Sequence, residues 1–133
     1  KSKDYTWKNS LSLMGWGVED DGLSVVFDKV IPEFITKELP HVLSNFPLKN
    51  LNGYVLHSGG MKIIQAYKKI LNNNKTIQES EKILSNFGNV SSVSVLLVLM
   101  EMIKKKYSGT FLMSALGPGF TAGLSGVKIG CNG

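Results

Sequence analysis

The chain has 133 residues, 43% of them hydrophobic, which is enough for one globular domain and too few for two. Its formal charge is +5 with a pI near 9.3; all fifteen basic residues are lysines, so the bidentate arginine contacts of a sequence-specific DNA reader are excluded, while lysine point charges suit phosphate-bearing ligands. One cysteine cannot close an internal disulfide, and the longest apolar run, Val95 to Met100, falls far short of the ~18 residues of a membrane span. With no charged-then-apolar leader, the expected setting is reducing and cytoplasmic. A start at Lys1 is expected of a piece of something longer.

Lys1 to Ser10 is polar and is expected to fray. Leu11 to Val18 alternates loosely around Gly15 and Gly17 and reads as an irregular strand or loop, and Asp20-Asp21-Gly22 turns it into a β-branched strand over Leu23 to Phe27. Pro32 suits a first helical position, and Ile35, Leu39, Val42, Leu43 and Phe46 carry a helix to about Asn45, kinked or broken near Pro40. Gly53 to Leu56 reads as a buried strand that delivers His57 at its carboxyl end.

Gly59-Gly60 opens a helix with Ile63, Ile64, Tyr67, Ile70 and Leu71 on one face, ended by three asparagines at 72 to 74. Thr76 is expected to cap a short helix through Asn86, with Glu79 completing a capping box. Val93 to Met100 is apolar nearly all round, which predicts a central, buried helix closed by Lys104-Lys105-Lys106. Gly109 to Ala115 and Thr121 to Ile129 read as antiparallel strands around Gly117-Pro118-Gly119. The fold class expected is α/β, a mixed sheet layered with helices.

His57 and Asn89 are the candidate functional pair. Both are neutral hydrogen-bond donors at the ends of different elements, a known way to build an oxyanion hole. Each also has a plainer reading: His57 as a structural residue, Asn89 as a helix cap or a left-handed residue beside Gly88. Small residues at Gly59 and Gly60 let a ligand approach closely, next to a helix start that favours anions. Gly117-Pro118-Gly119 alone is a tight turn.

Together, His57-Ser-Gly-Gly60, Gly88-Asn-Val-Ser-Ser92 and Gly117-Pro-Gly-Phe120 resemble the His-Pro-Gly-Gly, Gly-Asn-Met-Ser-Ser and Gly-Phe-Gly-Pro-Gly segments of type III polyketide synthases, the chalcone synthase-like enzymes. Met14 to Val26 resembles the bacterial members. The likeness spans about Leu11 to Ile129 and corresponds to the C-terminal half of a thiolase-like fold, so the whole chain would be that one domain. The domain bearing the nucleophilic cysteine would lie outside it.

This resemblance implies decarboxylative condensation of malonyl-CoA with an acyl-CoA starter. His57 and Asn89 would hold the extender thioester, and His57 would stabilise the thiolate of the N-terminal half. Gly59, Gly60 and Lys62 would lie along the CoA arm, with Ser91 and Pro118 shaping the cavity. Val25 would stand at a gatekeeper position and leave room for an aliphatic starter. No cofactor or metal is expected, CoA thioesters being the substrates. Homodimerisation of the complete enzyme is implied, without nucleic acid or membrane span.

Ser58 in place of the family's proline and Ala115-Leu116 before the turn are the departures. Cys131 has no histidine near it in sequence and is not expected to be the nucleophile. Two other readings compete: a β-ketoacyl-carrier-protein synthase III-like domain, and a non-catalytic half-domain that binds CoA thioesters.

Overall fold

The computed structural model of the chain describes residues 1–130; Cys131 lies outside the described residues. Its spine is the hairpin of Gly109–Gly117 (β5) and Thr121–Ile129 (β6), paired antiparallel from Gly109 opposite Ile129 to Gly117 opposite Thr121. Gly53–Leu56 (β4) joins β5 in parallel, with Leu56 opposite Ser114. Ser2–Thr6 (β1) adds antiparallel to β6, giving the order β1-β6-β5-β4. Met14–Glu19 (β2) and Gly22–Phe27 (β3) form a separate two-stranded ribbon.

The expected mixed sheet layered with helices is therefore present. Its β5 strand alternates between two cores, as strand periodicity demands. Leu112, with Leu56 and Leu124, packs under Ile31–Ser44 (α1) and Met61–Ile70 (α2), where Ile35, Leu39, Ile64 and Tyr67 are buried. Phe111, with Val55 and Ile129, packs against Ile83 of Ile77–Phe87 (α3) and Val95, Val98 and Met102 of Val93–Lys104 (α4). Each fully buried aliphatic side chain contributes about 1.5–3 kcal/mol.

Four expectations are corrected. Residues 2–6 do not fray: they pair through their backbone with β6, an interaction that needs no apolar side chains, and all five remain exposed. Trp7 then anchors the segment by stacking on Phe120 at 5.6 Å and meeting Phe34 edge-on at 5.5 Å. Helix α1 runs through Pro40 without a break, because Pro40 sits on its solvent face, where water can satisfy the carbonyl left unpaired four residues earlier.

Thr76 makes no cap bond to α3; its hydroxyl instead accepts the Tyr54 N–H at 2.9 Å and donates to Asn74 Oδ1 at 2.7 Å, tying α3 to β4. Glu79, freed from a capping box, is fully buried and accepts two 2.8 Å bonds from Lys105 Nζ and one of 3.0 Å from Tyr107. Last, α4 buries only one stripe: Val93, Leu96, Met100 and Ile103 on its other face are all about half exposed.

Glu79 joins the start of α3 to the end of α4, and removing its cation strands a buried carboxylate. Lys105→Met is expected to lower the urea midpoint with an unchanged slope. An unaltered midpoint would show that this pair does not hold the two helices together.

Candidate functional site

The parallel ladder continues one residue beyond β4, where the His57 N–H donates to the Ser114 carbonyl at 2.9 Å. The Leu56 carbonyl accepts from Ser80 Oγ at 2.9 Å, and the His57 carbonyl accepts the Gly59 N–H at 3.0 Å. Backbone on both sides of the imidazole is thus tied to β5, α3 and the following turn. The ring is buried, and an added Cβ at Gly59 would stand 3.3–3.4 Å from its Cδ2 and Nε2, tighter than ordinary packing. Glycine at 59 is what lets the backbone pass this close to the ring.

Asn89 arrives from a different element. Gly88 ends α3 at φ 71°, a conformation that favours glycine. The Asn89 Oδ1 accepts the Ser91 N–H at 3.0 Å, which turns Nδ2 toward Gly59, whose carbonyl it meets at 3.1 Å. An amide nitrogen carries two hydrogens, so one remains after this bond. The Ser94 hydroxyl, accepting the Val90 N–H at 3.0 Å, fixes the next residue. The plainer roles do not apply, since the α4 cap position is Ser92 and the left-handed residues are Gly88 and Ser91.

His57 and Asn89 share the wall of a cavity of about 470 Å³. Val25, Ser91 and Pro118 line it too, so five of the eight candidate residues converge there. Gly59 joins His57 and Asn89 in a narrower recess continuous with Ile31, Ile63 and Phe120. Gly60 lines neither; it caps α2 at φ 147°. Lys62 also lines neither and sits on an outer groove between α1 and α2.

Trp16 and Met14, also in the cavity wall, were not singled out by sequence reasoning. The signal was the period-2 order Met14, Trp16, Val18, interrupted only by glycines, which puts three large apolar groups on one face of β2. Trp16 lies directly opposite Val25 across the ribbon. Ser10 was missed as well. Its buried hydroxyl donates to the Trp7 carbonyl at 2.6 Å and accepts the Phe120 N–H at 2.7 Å, holding the end of the Gly117–Gly119 turn.

No carboxylate and no lysine lines the main cavity. It therefore offers neutral donors to a polar, uncharged group and lacks a general base other than His57. Burial lowers the His57 pKa below its usual 6.5, so the ring is neutral at physiological pH. Among the described residues no three His, Cys, Asp or Glu side chains cluster to hold a metal, and no helix is long and apolar enough to cross a membrane.

A mixed sheet with helices on both faces is the thiolase-like fold that the chain shares with type III polyketide synthases. The 1,3,6,8-tetrahydroxynaphthalene synthase of Streptomyces coelicolor A3(2) superposes with a TM-score of 0.84 at 21% identity, over 98% of this chain and 40% of that one. PKS-I of the brown alga Ectocarpus siliculosus gives 0.84 at 18% identity, over 97% and 38%. The sequence profile described as chalcone and stilbene synthases, C-terminal domain, matches residues 9–127, and the chain belongs to that family.

Among curated relatives, a Bacillus subtilis (strain 168) protein with a provisional chalcone synthase name is 33% identical over 88% of this chain and 35% of its own length. The 1,3,6,8-tetrahydroxynaphthalene synthase of Streptomyces peucetius subsp. caesius is 29% identical over 91% and 35%. The chain thus spans about a third of these relatives.

The depressed His57 pKa has a stability consequence. The unfolded chain takes up the His57 proton below pH 6.5 while the folded chain resists it, so stability falls as pH drops from there toward the folded pKa. His57→Gln is expected to remove that part of the acid sensitivity in urea titrations between pH 7 and 5. An identical pH profile for the two proteins would contradict it.

Proposed function

We propose that this chain is the part of a type III polyketide synthase that receives the malonyl-CoA extender and stabilises the enolate it becomes. One observation carries the reading. The Gly59 carbonyl pins the Asn89 amide beside the His57 imidazole, on the wall of a cavity without charged groups, leaving a second amide N–H uncommitted. Two neutral donors aimed at one place act where negative charge develops on a carbonyl oxygen.

In this mechanism the thioester oxygen lies between His57 Nε2–H and Asn89 Nδ2–H. The carbon–carbon bond to the carboxylate breaks, carbon dioxide leaves, and the electron pair moves onto the thioester as an enolate. The enolate carbon then attacks an acyl group held as a thioester on a cysteine of the N-terminal half, expelling that thiolate. Cavity donors alone do not supply the nucleophile, so activity requires that half.

A thiolate near His57 would raise the imidazole pKa again, reversing the effect of burial and allowing an ion pair. The N-terminal half would cover the exposed face of α4, where Leu96, Met100 and Ile103 are half exposed. The complete enzyme would be a cytoplasmic homodimer acting on CoA thioesters. The family match favours this branch over a carrier-protein synthase.

In the polypeptide that joins this chain to its cysteine-bearing half, His57→Gln or Asn89→Ala is expected to slow malonyl-CoA decarboxylation by a factor of ~10² to 10³ each. Unchanged carbon dioxide release from either variant would sink the oxyanion role. Starter choice is expected to depend on the Trp16–Val25 pair, because Trp16 narrows the room that Val25 leaves. Trp16→Ala should shift kcat/KM toward longer acyl-CoA starters; an unshifted chain-length profile would place the acyl group elsewhere.

A further inference from the structure

We infer that Ser58, Ser114 and Tyr67 form a buried hydroxyl network that donates into His57 Nδ1 and so keeps the ring hydrogen on Nε2; Ser58 and Tyr67 are positioning residues, and this rests on the function proposed above. Among the described residues four buried side-chain polar atoms have no hydrogen-bond partner: His57 Nδ1, Ser58 Oγ, Tyr67 Oη and Ser114 Oγ. All four fall on one row. Ser58 follows His57 in the chain, and the Ser114 carbonyl accepts the His57 N–H at 2.9 Å. The Tyr67 hydroxyl faces that of Ser114 without closing a bond of good geometry. A buried polar atom left unpaired is costly, and four gathered at one place point to a shared set of bonds.

Ser58 is also where the chain departs from the His-Pro-Gly-Gly pattern. The Gly59 N–H, donating to the His57 carbonyl at 3.0 Å, closes a three-residue turn centred on Ser58, whose φ is negative and suits proline. Serine keeps that turn and adds a fully buried hydroxyl, able both to donate and to accept. Because the turn interrupts strand alternation, Ser58 is not forced to the side opposite the imidazole. The Cδ2–Nε2 edge of the ring lies beside Gly59, so Nδ1 is on the edge turned away from it. Rotation about the Ser58 Cα–Cβ bond, or one buried water making about three hydrogen bonds, links the hydroxyl to Nδ1.

The direction of the bonds follows from the phenol. Burial pushes the Tyr67 pKa above its ordinary 10.0, so the hydroxyl keeps its hydrogen and acts as a donor. Tyr67 lies in the apolar core with Leu56, Ile64 and Leu112, where the Ser114 oxygen is the acceptor it faces. With Tyr67 donating to Ser114, the Ser114 hydrogen passes to Ser58 and the Ser58 hydrogen to Nδ1. Every oxygen but the first then accepts one bond, and Nδ1, carrying no hydrogen, ends the row. A ring with its hydrogen on Nδ1 would reverse the row and strand the phenol hydrogen among apolar side chains.

Nitrogen NMR of the isotope-labelled chain, at a pH well above the ring pKa, tests this by reporting which ring nitrogen carries the hydrogen. The parent should hold it on Nε2. Ser58→Ala and Tyr67→Phe should each move the Nδ1 and Nε2 resonances toward a mixture of tautomers, with melting curves to establish folding. Ser58→Pro, which suits the turn, gives the same reading should the alanine variant not fold. In the polypeptide joined to its cysteine-bearing half, Ser58→Ala should slow malonyl-CoA decarboxylation about tenfold with KM unchanged. A parent ring protonated on Nδ1, or ring resonances unmoved in the folded variants, would overturn the inference. Failure of the oxyanion reading looks different: the tautomer would shift in the variants as expected while carbon dioxide release stayed at the parent rate.

Discussion

The site hangs on the hydrogen bond that carries the parallel β4–β5 ladder one residue past the end of β4. With its N–H on the Ser114 carbonyl, His57 is positioned by the sheet, although it belongs to a turn. Its flanking carbonyls are both engaged, so the imidazole has little freedom to leave the cavity wall. The Gly59 carbonyl then serves as the fixed point from which Asn89 is aimed. A sheet edge thus positions one donor directly and the other through a single bond.

That economy explains why glycine and serine are so frequent around the site. Gly59 lies where a side chain would press on the imidazole, and Gly88 ends α3 in a conformation costly for other residues. Ser80, Ser94 and Ser10 each spend a buried hydroxyl on a backbone group of a neighbouring segment. Each of these bonds ties down a segment next to the cavity: the end of β4 before His57, the turn after Asn89, and the end of the Gly117–Gly119 turn. Chemistry is left to two residues, and the surrounding polar groups orient them. The apolar ribbon face of Met14, Trp16 and Val25 closes the opposite side.

Sequence made the helices and the central hairpin legible because their apolar patterns are strong: Ile63, Ile64 and Tyr67 fall on one face of α2, and the apolar run Phe111 to Met113 on β5 suits a strand covered on both faces. It misread β1 as a frayed end, because the pairing of that strand is made by backbone alone. It misassigned Thr76 and Glu79, since the pattern of a capping box is the same whether the two residues bond to each other or, as here, to β4 and Lys105. It read Val93 to Met100 as buried all round, whereas the chain by itself covers one stripe. Hydrophobicity records what a helix will face in every state, including surfaces that this chain does not supply. His57, Asn89 and Gly59 were legible as neighbours through their order in the motifs, but the bond between Asn89 and Gly59 spans 30 residues and has no sequence signature.

The most direct test of the central claim is a crystal structure of the polypeptide that contains this chain, bound to a malonyl-CoA analogue that cannot lose carbon dioxide. The account predicts the thioester oxygen about 2.7–3.1 Å from both His57 Nε2 and Asn89 Nδ2, with the Asn89–Gly59 bond retained. A thioester oxygen turned toward Ser91 or solvent, with His57 and Asn89 left without contact to it, would contradict that claim.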